Sequence, residues 1–384
     1  MNGITYDAAI VGAGPAGTTA AIHLARRGLG VCLIEKETFP RLKVCGGGLT
    51  ARAAGLLPVP VHPVVHQPCH RVELHFWKRK LNFVARRDRP IIYMVMRAQL
   101  DNLLLDEAKK LGVTVYANNA VEDVSEENGR VTILTGKGPI YGRFVIAADG
   151  VGSMVARRCG WPANDGAIPA LECEVPVDQA TLERFRGSAR FDLEHPRHGY
   201  SWVFPKKEHL SVGVLSMARG VEGLRDSFRA YLDSLEIRPT AEARLHGALI
   251  PVRLRPGPPA RGRILLAGDA AGLAEPICAE GLSNALLSGE LAARAIVDGA
   301  HAPDKVVSLY RDSLATSVLR DLDIAGRHAR LLYGHSRLQR IMFRLGGEMV
   351  CERLTDIIMG DRSIASMGGP WRQLFKKSVI AWKY

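Results

Sequence analysis

Gly12, Gly14 and Gly17, within Gly12-Ala13-Gly14-Pro15-Ala16-Gly17, have the spacing that brings backbone N–H groups and a helix N-terminus to a phosphate. Each glycine has its own task in such a turn. Gly12 allows the tight bend, Gly14 lets backbone touch a pyrophosphate, and Gly17 lets a helix pack on the preceding strand. Glu35 follows Gly14 by 21 positions, where an acid accepts hydrogen bonds from an adenosine ribose. Next comes Lys43-Val44-Cys45-Gly46-Gly47-Gly48. Three consecutive glycines uncover backbone N–H groups and permit close approach by another molecule, and Cys45 stands at the lip of that loop. Read with the fingerprint before it, the guest is part of a bound nucleotide cofactor. Read alone, the run is a flexible loop with an incidental buried cysteine.

The elements that must hold these residues surround them. Asp7-Ala8-Ala9-Ile10-Val11 is a short buried strand, and a helical pattern runs from the glycines through Arg27. Gly28-Leu29-Gly30 turns the chain into a second strand, 31–34, which ends at Glu35. A further helix opens at Arg97 and runs to about Leu111, followed by a strand at 113–116 and then Ala120-Val121. Residues 144–148 form a buried strand stopped by Asp149-Gly150, and 264–267 one stopped by Gly268-Asp269. Gly and Asp at C-terminal strand ends mark where open α/β sheets bind ligands. A long helix begins around Gly281.

Between these pieces the pattern changes. Residues 71–84 alternate as a hairpin does, and 169–177, 187–193, 199–204 and 209–216 read as half-buried strands. The proline-rich stretch 251–263 returns to the first lobe. The expected fold is α/β, with a Rossmann-like, three-layer ββα nucleotide lobe (1–70, 90–165 and 250–300). A mostly antiparallel β substrate lobe (71–89 and 166–249) interrupts it, and a helical region (301–384) follows.

Composition limits what the chain can do. A length of 384 residues with 47% hydrophobic content fits a globular protein of two or three cores. No stretch reaches the roughly 20 apolar residues a membrane span needs, and no basic-then-apolar leader opens the sequence. The expected location is cytoplasmic, with peripheral contact on the cytosolic face of a membrane. The seven cysteines form no CxxC pair, which argues against zinc and against a disulfide framework. Net charge is +12, and the 59 residues from Gly326 carry eleven Lys/Arg against four Asp/Glu. No nucleic-acid-binding fingerprint accompanies that charge, so an anionic membrane or an acidic substrate is the better partner. The segment Trp371 to Trp382 sets apolar residues against Arg372, Lys376 and Lys377. It reads as an amphipathic helix suited to a membrane interface or to packing on the protein body.

The glycine fingerprint with Glu35, the Arg97…Asp101 helix, Asp149-Gly150 and Gly268-Asp269 together resemble the flavin-dependent hydroxylase superfamily that binds FAD. The resemblance spans roughly residues 5–300. It implies that Gly12, Gly14, Ala16, Gly17, Glu35 and Lys36 hold the ADP half of FAD, with Val121 beside them. Arg97 would reach the pyrophosphate region, and Asp149-Gly150 would serve FAD and a transient nicotinamide cofactor. Asp269 would take the ribityl chain, with Gly281-Leu282 approaching the flavin ring. A carboxylate at a strand end suits sugar hydroxyls; it also suits a helix N-cap.

Two further segments, the Cys45–Gly48 loop and Gly199-Tyr200-Ser201-Trp202-Val203-Phe204-Pro205, resemble the geranylgeranyl reductase branch. There a cysteine-glycine loop borders the flavin and a YxWxFP strand lines a prenyl tunnel. Flavin halogenases carry a related WxWxIP segment, from which Tyr200 and Phe204 depart. Pro276-Ile277-Cys278-Ala279-Glu280-Gly281 also departs, at Cys278, from the more usual PxTGEG. The resemblance implies reduction of isolated prenyl double bonds by reduced FAD, which NADPH or a ferredoxin would recharge. The substrate would be a prenyl lipid or prenyl diphosphate. Tyr200 and Trp202 would form an aromatic wall, and Cys45 would contact substrate or flavin or help deliver a proton. An oxygen-using monooxygenase or halogenase, and a non-catalytic FAD-binding protein, are the competing expectations. Tyr200, Trp202 and Phe204 would otherwise be an alternating core face.

Overall fold

Ala8, Ala9, Ile10 and Val11 are all buried, and they form the C-terminal part of the central strand Thr5–Val11. The computed structural model describes residues 4–77, 80–218 and 220–367; the amphipathic segment 371–382 lies outside them. Thr5–Val11 pairs in parallel with Gly138–Ala147 on one side and Val31–Ile34 on the other. Ile264–Leu266 and Thr114–Tyr116 extend the parallel set outward. Strands covered on both faces read as unbroken apolar runs, which is why these segments were so plain in the sequence. The first half of Gly138–Ala147 pairs antiparallel with Arg130–Thr135, which hairpins to Val121–Glu127. Helices Arg97–Lys110 and Leu282–Asp298 flank the fingerprint helix Pro15–Ala25. Gly289 permits the tightest of these contacts, since a Cβ there would lie 2.2 Å from the Ala16 carbonyl oxygen.

A second, seven-stranded sheet draws its strands from 71–86 and 167–251. Its order is His246–Pro251, Ala167–Pro176, His209–Ser216, Gly199–Pro205, Ser188–Leu193, Arg71–Phe76 and Asn82–Arg86. All neighbours are antiparallel except Ser188–Leu193 with Arg71–Phe76. One expectation needs correcting. Neither Gly199–Pro205 nor His209–Ser216 is half-buried, because all seven residues of the first and seven of the eight of the second are buried. Helices Gln179–Phe185 and Leu224–Ser234 cover the outer face, where Val203, Val212 and Val214 share a core with Phe185, Phe228 and Tyr231. The inner face turns toward the nucleotide lobe.

A small antiparallel sheet, Gly48–Thr50, Ile92–Val95 and Val65–Cys69, lies at the junction. The chain then continues through helices Pro303–Leu314, Arg320–Gly334 and Ser336–Met359, the first two joined by a π-helical turn at Ala315–Leu319. The last packs on Asn82–Arg86, with Phe343 against Phe76 and Phe83. No described helix is long and apolar enough to cross a membrane.

Candidate functional site

The C-terminal ends of the parallel strands open onto one cavity of about 730 Å³, which extends to the inner face of the second sheet. At its nucleotide end Gly12 has φ +101°, and a Cβ there would strike the Ala148 carbonyl oxygen at 2.3 Å. Gly17 is locked differently. Its Cβ would sit 1.9 Å from the Gly12 carbonyl oxygen, so it serves helix packing and does not line the cavity. Gly14 faces open space, with nothing nearer its Cβ position than the Arg41 guanidinium at 3.8 Å. Glu35 closes the turn: its Oε2 accepts from the Ala13 N–H at 2.8 Å and its Oε1 from the Glu37 N–H at 3.0 Å. Glu35 lines the cavity together with Lys36 and Val121.

Arg97 opens its helix with a forked ion pair to fully buried Asp101, at 2.8 and 2.9 Å. Burial disfavours its charge, but Asp101 and Cys45 more than offset that and raise the guanidinium pKa. Arg41 joins the same carboxylate at 3.2 Å. Two guanidinium groups are thus fixed at the cavity wall. Asp149 accepts from the Val155 N–H at 3.1 Å through Oδ2, while its buried Oδ1 has no partner. Burial raises its pKa.

The Cys45–Gly48 loop crosses between the two ends of the cavity. Its glycines answer to a neighbour that the sequence did not suggest. A Cβ on Gly46 would lie 2.7 Å from Trp202 Nε1, and one on Gly48 would lie 2.9 Å from Phe204 Cε2. Gly47, at φ +63°, would meet the Val95 carbonyl oxygen at 2.0 Å. The aromatic strand and the glycine loop are therefore one interlocked unit. Lys206 fastens it from below, being fully buried and donating to the carbonyls of Gly46 (2.7 Å), Val95 (3.0 Å) and Gly47 (3.2 Å). Burial lowers its pKa. Nothing in the sequence around Lys206-Lys207 separates it from a surface lysine.

Tyr200, Trp202 and Phe204 share the inner face with Phe191, each ring within 5.3–6.3 Å of the next. All four line the cavity. They are both an alternating core face and a cavity wall. The Tyr200 hydroxyl donates to the Cys278 carbonyl, and Tyr333 donates to the Ile277 carbonyl at 2.6 Å. Burial, then Cys278 and Glu275, holds the Tyr200 pKa well above its ordinary value. Glu275 shapes the same loop by accepting from the N–H groups of Ile277 and Cys278 at 2.7 and 2.8 Å. Behind the loop, the turn Gly268–Ala270 has no side-chain cap. Asp269 lies inside that turn, whose N-cap is Ala267, and its carboxylate stands 3.5 Å from the Cβ position of Gly281. Leu282 follows on the cavity wall.

These surroundings fit FAD. Gly14 leaves room beside two fixed guanidinium groups for a pyrophosphate. Asp149 Oδ1 and Asn119 Oδ1 are buried acceptors without partners on the cavity wall. Asp269, on the cavity wall, suits hydroxyl donors. Asn119, Arg41, Lys206 and Glu172 were not singled out from the sequence, since each lies outside any glycine or strand-end motif.

Residues 5–222 match the FAD binding domain family. The chain is 30% identical over 359 residues to digeranylgeranylglycerophospholipid reductase 2 of Methanothermobacter thermautotrophicus, covering 86% of this chain and 88% of that one. Among solved structures it resembles a geranylgeranyl bacteriochlorophyll reductase-like protein from Thermoplasma acidophilum, with TM-score 0.77 and 23% identity over 98% and 96% of the two chains. It also resembles the flavin-dependent brominase Bmp2 in a triple mutant, with TM-score 0.72 and 19% identity over 98% and 99%. The two structures show a common fold, and the sequence matches go further. The chain belongs to the geranylgeranyl reductase family of FAD-dependent oxidoreductases.

Proposed function

We propose that this chain saturates isolated double bonds of a geranylgeranyl-type prenyl chain carried on a lipid or a diphosphate. One observation carries the reading: a single cavity has a polar nucleotide end and an apolar, aromatic end, with the Cys45–Gly48 loop between them. An isoprenoid chain offers no hydrogen bonds, so apolar walls such as Ala170, Phe191, Tyr200, Trp202, Phe204 and Leu215 suit it. The relative's printed name supports a phospholipid carrier.

Bound, reduced FAD supplies the hydride; the chain supplies position, dryness and a proton. An unconjugated alkene has no carbonyl to store negative charge, so protonation leads or accompanies hydride transfer. Positive charge then develops on the methyl-bearing carbon. Aromatic faces stabilise a desolvated cation by about 0.5–2 kcal/mol each, which is the task we assign to Tyr200 and Trp202. Cys45 accepts the Gly47 N–H at 3.4 Å and borders both halves of the cavity, so its role is contact with substrate or flavin at the junction. Gly12, Gly14, Ala16, Glu35, Lys36, Arg97, Val121, Asp149, Gly150, Asp269, Gly281 and Leu282 would hold FAD. The single fingerprint serves FAD, so NADPH or a ferredoxin recharges it by transient docking. A lipid substrate also calls for peripheral contact with an anionic membrane, for which the basic C-terminal region is suited.

Incubating the reduced holoenzyme with a geranylgeranyl phospholipid under nitrogen, then measuring product mass, tests this. Each saturated bond should add two hydrogens. Unchanged lipid under nitrogen, with an oxygenated or halogenated product formed only in air, would overturn it.

A further inference from the structure

The second sheet places one polar strip beside its aromatic wall. Across the inner face, Phe191, Trp202, Gly213, Glu172 and His246 occupy one register row. Gly213 has no side chain, and the Trp202 ring fills that space, since a Cβ there would lie 2.0 Å from Trp202 Cζ2. The next side chain along the row is Glu172, which lines the cavity and is only 4% exposed. Trp202 Nε1, in the same wall, is buried without a partner. A carboxyl group and an unused N–H thus meet a space otherwise walled by rings and aliphatic groups.

Glu172 is also connected outward. Ser211 donates to its Oε1 at 3.0 Å. Glu174, two residues along the same strand, points to the same face and raises its pKa. Glu174 Oε2 in turn lies 2.9 Å from His209 Nε2, an ion-pair distance without hydrogen-bond geometry, and the His209 side chain is 22% exposed. Glu172, Glu174 and His209 therefore line up from the aromatic wall to a partly exposed position, with no hydrogen bond joining Glu174 to His209.

We propose that Glu172 is the acid that protonates the prenyl double bond. This rests on the prenyl reductase reading. The alkene π bond breaks, and its electron pair forms a C–H bond with the Glu172 proton. Hydride from the reduced flavin forms the second C–H bond, so the flavin loses two electrons and the alkene gains them. Glu172 is left as a carboxylate and regains a proton from solvent between turnovers.

The groups facing Glu172 are Glu174 on its own strand, Ser211 on the next, His246 on the edge strand, and Lys206 beneath the glycine loop. Burial first and Glu174 second push the Glu172 pKa up to about 8, against the opposing effects of Ser211 and Lys206. The group is therefore protonated at neutral pH and loses its proton as pH rises through about 8.

The test compares wild type with Glu172→Gln, which keeps the shape and removes the acid. Anaerobic oxidation of the flavin by a geranylgeranyl phospholipid should fall at least about 100-fold in Glu172→Gln, the scale of a lost general acid. FAD affinity and the flavin absorbance spectrum should stay as in wild type. The wild-type rate should decline through about pH 8, and Glu174→Gln should move that decline to lower pH by removing a charge that raises the Glu172 pKa. Infrared spectroscopy at pH 7 should show a buried protonated carboxyl that is missing from Glu172→Gln. An equally active Glu172→Gln with the same pH profile, or an ionised Glu172 at pH 7, would overturn the assignment alone. A wild-type enzyme that oxidises its flavin with no prenyl lipid would overturn the reductase reading and the assignment with it.

Discussion

Gly46 shows most plainly how single residues set this site. The sequence makes the Gly46, Gly47 and Gly48 run conspicuous but suggests a cofactor as the reason. The nearest groups are instead Trp202 and Phe204, with Lys206 holding the loop's carbonyls. Gly46→Ala pushes a methyl against Trp202 and should destabilise the protein by about 1–3 kcal/mol, the usual cost of overpacking. FAD affinity should fall with it, and denaturant unfolding together with flavin titration measures both. Lys206→Met removes three hydrogen bonds to buried carbonyls and should cost on the order of 2–3 kcal/mol. A Lys206→Met protein as stable as wild type in the same unfolding assay would contradict the clamp. Lys206 and Glu172 were illegible for a shared reason. In Leu171-Glu172-Cys173-Glu174-Val175 the alternation reads as acids turned toward water. Both faces of this sheet are covered, so the face with the acids is the inner one, and no local pattern distinguishes that case.

At the scale of elements, the parallel strands were legible because strands covered on both faces are unbroken apolar runs. The helices Gln179–Phe185 and Leu224–Ser234 were not, and their absence from the sequence reading made Gly199–Pro205 seem half-exposed. Helix Arg320–Gly334 also reaches the site, for Tyr333 near its end ties down the Ile277 carbonyl. Tyr333→Phe leaves the ring and removes that tie. It should cost about 1 kcal/mol of stability and should slow prenyl-dependent flavin oxidation more than it weakens FAD binding. Equal rates in Tyr333→Phe and wild type would show that the 275–281 loop is held well enough by Glu275 and Tyr200.

For the whole molecule, the central fact is that two sheets of different chemistry meet over one cavity. The nucleotide half was legible from four motifs in order. The aromatic half was legible only through Tyr200, Trp202 and Phe204, because its other walls come from strands far apart in sequence. The direct test is anaerobic: reduce the bound flavin, add a geranylgeranyl phospholipid without oxygen, and follow flavin absorbance. The account predicts prompt return of the oxidised spectrum, in proportion to the double bonds saturated. A flavin that stays reduced until air is admitted would contradict it.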